Sequence, residues 1–223
     1  MADTRISSLG VAFVDAGHLL SFRSVVGRDV RSDMLDSLLF AQLAADKQYS
    51  RLREAAEWWK AYVDTTSRVA WRMTQYTYVA YTPPDATFTI EDIVLSRLEQ
   101  YISKDDRQLV HESISTLRQL PDEDPAVKVY ETSTHSEYAV NLQVGVVSER
   151  SGLSGVGAVL RTTQPLGRIF DTVFETDDVE GAMMIASYNG DLNEAVYATI
   201  RQSVIEKLGA KRTELIRSVE MGG

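Results

Sequence analysis

Residues 138–163 read YAVNLQVGVVSERSGLSGVGAVLRTT. Two apolar, alternating runs flank a polar, glycine-rich centre. In extended form Tyr138, Val140, Leu142, Val144 and Val146 point to one side, and Ala139, Asn141, Gln143, Gly145 and Val147 to the other. On the return run Val156, Ala158 and Leu160 oppose Gly157, Val159 and Arg161. One face is apolar throughout and the other is small and polar. The pattern predicts an antiparallel hairpin whose face of Val140, Leu142, Val144, Val146, Val156 and Leu160 lies beneath the protein's own helices. The same pattern would serve a membrane-inserting hairpin, apolar toward lipid and polar toward a lumen, and its runs are near the ~9–11 residues that span a bilayer.

A phosphate loop is a poor fit to the glycines. GLSGVG (152–157) matches neither G-x-G-x-x-G nor G-x-x-x-x-G-K-[ST], and G-x-S-x-G fails at Val156. A phosphate loop also needs a helix next, whose amide groups meet the anion, whereas the next segment reads as a strand.

Working outward, PDEDP (121–125) is acidic and flanked by proline, a hinge signal. After it, five runs read as strands with short links: AVKVYETS, EYAVNLQVGVV, GVGAVLRTT, RIFDTVFET and EGAMMIASY. Short links suit an antiparallel meander and leave no room for parallel crossovers. YNGD (188–191) reads as the turn into a helix begun by Asp191 and Glu194, with a last helical segment carrying Leu215, Ile216 and Val219.

Before the hinge the period is helical. Leu35, Leu38, Leu39, Gln42 and Leu43 form one stripe, with Ser32 as its expected N-cap, and Leu52, Ala55, Ala56, Trp59, Tyr62 and Val63 form another. The break falls near 47–50. Residues 71–82, rich in aromatic and β-branched side chains and ended by Pro83 and Pro84, read as a strand. Thr89 with Asp92, and Ser103 with Asp106, start two further helices. The first 30 residues read equally as a short helix or a buried strand.

The expected fold class is therefore α+β: a helical N-terminal half with one strand, then an antiparallel β-meander closed by a long C-terminal helix. Residues 1–223 are expected to form one compact domain, with sub-lobes over 1–120 and 126–223 hinged at 121–125 as the alternative.

Composition narrows the function. The chain has 223 residues and no cysteine, so disulfides, thiolate metal sites and cysteine nucleophiles are excluded. A net charge of −9 repels a phosphate backbone, and the basic clusters (Arg23, Arg28, Arg31; Lys207, Lys211, Arg212) are short, so no nucleic acid is expected. No signal-peptide pattern and no apolar run of spanning length occurs. The expected location is the cytoplasm, or outside the cell by a route without a classical signal peptide.

His18, His111 and His135 lack H-E-x-x-H spacing, and the acid pairs at 105–106, 122–124 and 177–178 lack the oxygen density of a calcium loop. No metal, cofactor or catalytic residue is assigned. Trp58, Trp59, Tyr62 and Trp71 are concentrated, and an exposed member would mark a partner-binding surface. The leading reading is a non-enzymatic structural or interaction protein acting by self-association or by binding a protein partner. A toxin-like, membrane-active protein using the 138–163 hairpin is the alternative. An enzyme with histidine and carboxylates assembled from distant segments is the third.

Overall fold

A computed structural model of the chain describes residues 9–148 and 152–221. The strands are β1 (Gly10–Asp15), β2 (His18–Arg23), β3 (Trp71–Tyr81), β4 (Thr87–Thr89), β5 (His135–Ser136), β6 (Ala139–Val147), β7 (Gly152–Arg161), β8 (Val173–Glu175), β9 (Met183–Leu192) and β10 (Ile216–Val219). The helices are α1 (Arg28–Asp46), α2 (Ala55–Arg68), α3 (Ile90–Leu98), α4 (Lys104–Gln119), α5 (Pro125–Thr134), α6 (Glu194–Leu208) and α7 (Lys211–Leu215).

The fold is mixed α and β around a mostly antiparallel sheet. Its order is β10-β1-β2-β6-β7-β9-β3, with β5 pairing the start of β6, and β4 and β8 form a separate pair. Helices cover both faces. On one, α3, α4 and α5 bury Val140, Leu142, Val144, Val146, Val156 and Leu160, the hairpin face predicted to lie beneath helices. On the other, α1, α2 and α6 pack against Leu20, Phe22, Leu153, Ala186 and Tyr188.

The second face explains the small residues of the hairpin. Every residue of β6 is buried, so its polar side is no solvent face. A Cβ on Gly157 would stand 2.1 Å from the Trp59 ring, and one on Gly155 would stand 2.3 Å from the Tyr188 ring. The glycines allow two aromatic rings to lie against the sheet backbone.

Several expectations are corrected. The N-terminal half holds more than one strand, because β1 and β2 form a hairpin through Ala16 (φ 49°) and Gly17. β2 then pairs with β6 in parallel, so the sheet is not a pure meander; the crossover runs through all the intervening helices. α1 has Gly27 rather than Ser32 at its N-cap position.

AVKVYETS is helical as α5. Pro125 occupies its first turn, the Asp124 carboxylate accepts from Ala126 N at 2.8 Å, and Ala126, Val127, Tyr130 and Thr134 make a helical buried stripe. RIFDTVFET contributes only the three residues of β8. YNGD continues β9, and Asn193 caps α6 in place of Asp191. The last segment is one helical turn and then β10, whose Ile216 and Val219 face Asp15 and Ala12 of β1. Gly209 (φ 51°) ends α6 and lets the chain turn back to the sheet.

The 121–125 segment links α4 to α5, and strands from before and after it hydrogen-bond within the one sheet. Among the described residues no helix is long and apolar enough to cross a membrane.

Candidate functional site

The predicted aromatic set belongs to the interior. Trp58, Trp59, Tyr62 and Trp71 are all buried. Each indole nitrogen has a partner: Trp58 Nε1 donates to Asp46 Oδ1 at 2.7 Å, Trp59 Nε1 to Asn141 Oδ1 at 3.2 Å, and Trp71 Nε1 to Ser37 Oγ at 2.9 Å. The Tyr62 ring stacks on Trp58 with centroids 5.4 Å apart. Adjacent tryptophans can both be enclosed because α2 is covered on two sides. Trp59 rests on the sheet at Gly157, and the Arg51 guanidinium lies 4.5 Å above the Trp58 ring. These residues offer no surface to a partner, and neither does the apolar hairpin face, which is enclosed beneath α3–α5.

Two histidines lie beside a carboxylate, and the third sits opposite one in strand register. His18 pairs across the β1–β2 turn with Asp15, His111 Nδ1 is 2.7 Å from Glu91 Oε1, and His135 Nε2 is 3.5 Å from Glu131 Oε2. Arg118 also holds Glu91, so the His111 group ties α3 to α4. Burial pushes the Glu131 carboxyl up to about 7 and lowers the His135 imidazole. Sequence spacing could not show the His111–Glu91 pair, whose partners come from separate helices, whereas Glu131 and His135 are four residues apart in a stretch that reads as a strand.

The Asp15–His18 neighbourhood is the most unusual chemically. Both side chains are fully enclosed. The Tyr188 hydroxyl donates to Gln143 Oε1 at 3.0 Å and lies 3.3 Å from His18 Nε2. Asp15 Oδ1 and Oδ2, His18 Nδ1, the Tyr62 hydroxyl and Gln143 Nε2 are buried without a hydrogen-bond partner. Burial raises the Asp15 carboxyl well above its usual value, helped by Asp36 and opposed by Arg51; burial, then Arg51, pushes His18 down to about 3. Both groups are thus held neutral.

Arg51 closes this neighbourhood from outside. It reaches Gln42 Oε1 at 3.1 Å, Ser133 O at 3.3 Å and Asp46 Oδ2 at 3.0 Å. A cleft of about 320 Å³ reaches Ala16 and Arg51 from outside. None of the three histidines lines that cleft or the larger ones of about 380, 640 and 650 Å³. Among the described residues no group of three or more histidines and carboxylates could hold a metal ion.

The exposed feature that sequence reading missed is an edge. β3 closes the sheet opposite β10, and among the described residues β9 is the only strand paired with it. It is eleven residues long, and residues 73–81 (MTQYTYVAY) carry no charge, glycine or proline. Thr74, Gln75, Thr77, Val79 and Ala80 are exposed; Val79 is 47% exposed. Tyr76 and Tyr78 turn toward the α1–α2 layer, where burial pushes both hydroxyls up to about 12. Edge strands are ordinarily protected by charge, proline, a bulge or shortness. β3 has two such devices, both near its start: the charged Arg72 and an irregularity between Met73 and Gln75. The signal was legible as an uncharged β-prone run, but its edge position depends on the sheet order.

Fold and surface together define a helix-covered sheet protein whose described residues leave one long edge, uncharged over 73–81. No family model matches the chain, and no curated protein does. Among solved structures it is similar to one described as the structure of the Evf virulence factor, at 7% identity, over 92% of this chain and 85% of that one, with a TM-score of 0.34. A likeness at that TM-score carries neither fold nor function across.

Proposed function

We propose that the protein works without catalysis, by association, and that two copies join through antiparallel pairing of their β3 edges. The observation that carries this reading is the uncharged, exposed run 73–81 on a strand with one side unpaired. A second copy is the partner that fits. Each chain carries a net charge of −9, yet nothing charged in this run opposes the approach of its equivalent. A two-fold axis at Thr77 sets the two Thr77 residues opposite each other and pairs Tyr76 with Tyr78 in both directions. Threonine and aromatic cross-strand pairs of this kind contribute roughly 0.2–1 kcal/mol each. Pairing would also satisfy the outer backbone groups of β3 and run the two sheets into one.

Light scattering coupled to size exclusion tests the reading. The expected result is a dimer that is insensitive to salt, because the interface holds no ion pair. Thr77→Lys places like charges at the axis and should give monomers with an unchanged circular dichroism spectrum. A wild-type monomer at the highest soluble concentration, or a dimer untouched by Thr77→Lys, overturns it.

A further inference from the structure

At the opposite edge of the sheet, two stretches distant in sequence bring arginines into one cleft. It has a volume of about 640 Å³ and lies between the start of α1, β1, β10 and α7. Arg28 and Arg31 enter from the first turns of α1, Arg212 from α7 and Arg217 from β10. The floor is apolar: Val11, Phe13, Leu35 and Ile216.

The charge here is unbalanced. Asp36 is the one carboxylate that lines the cleft among the described residues, and Arg212 Nε engages it at 2.6 Å. Arg28 and Arg31 make no ion pair with any described residue, and Arg217 donates to the Thr213 carbonyl and leaves its Nε without a partner. Burial and the neighbouring Arg28 both lower the Arg31 pKa, the sign of a crowded, uncompensated cation. The N-cap of α1, Gly27, brings no side-chain acceptor to the helix's first amide groups. Elsewhere Arg72, Arg107, Arg161, Arg168 and Arg201 are each ion-paired with a carboxylate, so this convergence stands apart.

We propose that this cleft binds a phosphomonoester carrying an apolar body. Three unneutralised guanidinium groups call for more than one negative charge, and their planar forks match phosphate oxygens in pairs. The apolar floor calls for a hydrophobic remainder, and the volume is that of a small-molecule site. A long polyanion does not fit, because a chain of net charge −9 repels it. The cleft and β3 lie at opposite edges of the sheet, so association through β3 would leave it open.

Isothermal titration at low ionic strength tests this on the full chain, with inorganic phosphate, phenyl phosphate and vesicles of phosphatidylcholine doped with phosphatidic acid as the probes. Phenyl phosphate should bind about tenfold or more tighter than inorganic phosphate, reflecting the apolar floor. Arg31→Gln should weaken it by about tenfold or more, and so should Arg28→Gln, whose exposed side chain carries no folding role. Arg68→Gln, on the exposed end of α2, should leave it unchanged. Capture by doped vesicles alone would support the same chemistry from a lipid headgroup, and binding of phenyl phosphate alone would support a soluble ligand. Binding of neither probe overturns the proposal. So does equal affinity for inorganic and phenyl phosphate, or binding that survives the Arg28→Gln, Arg31→Gln double variant.

Discussion

Asp15 and His18 face each other across a two-residue turn and are both held neutral by burial, with opposite consequences for stability. The His18 ring binds its second proton in the unfolded chain near pH 6.5 but only at about 3 in the fold. Between these values the unfolded state holds more protons, so stability falls as pH drops from about 6.5 toward 3. The full effect is on the order of 5 kcal/mol. Asp15 acts the other way: above its ordinary value the folded state keeps a proton that the unfolded state has lost, so stability falls as pH rises from about 4 toward the raised pKa. Urea denaturation across a pH series separates the two. His18→Gln should flatten the acid limb, and Asp15→Asn should raise stability at neutral pH. An acid limb unchanged in His18→Gln would contradict the first assignment. Gly157 makes a second prediction at this scale. Trp59 is held by Asn141 and meets Tyr62 edge-on, so it has little room to retreat from a new methyl group. Gly157→Ala should cost about 1–3 kcal/mol, read as a lower denaturation midpoint.

Elements whose signals were local were legible. The Ser103–Asp106 pair forms the expected capping box, with Asp106 N donating to Ser103 Oγ at 3.1 Å, and Thr89 caps α3 as its spacing implies. The 71–82 strand and the 138–163 hairpin were legible from their period, although residues 149–151 of the hairpin lie outside the described structure. α5 was misread because Val127, Val129 and Tyr130 favour a strand by type, and because Asp124 and Pro125 look alike as hinge or helix start. Burial of one face of α5 against β6 and β10 overrides that propensity. If Asp124 is the cap, Asp124→Ala should lower stability by about 1 kcal/mol in a denaturant titration and leave the oligomeric state untouched. No loss of stability would mean that packing alone holds the start of α5.

At the scale of the molecule, what the sequence concealed was pairing between distant segments. Nothing local shows that β2 lies parallel to β6, or that the last strand returns to β1. The two arginine groups and the β3 edge were likewise visible as residues but not as places, because their positions follow from that order. The same long-range pairing bears on whether the chain is one cooperative domain. The two helical layers share the sheet, and β6 and β7 give alternate residues to each core. Loss of either layer would leave one side of those strands bare, so the layers should unfold together. All three tryptophans lie in the core on the α1–α2 side of the sheet, and none lies in the core on the α3–α5 side. Tryptophan fluorescence therefore follows one core, while far-ultraviolet circular dichroism follows helices of both. One domain requires the two denaturation curves to coincide in midpoint and slope. A fluorescence transition completed while substantial helical signal remains would show that the α3–α5 layer holds the sheet by itself and that the chain unfolds as two units.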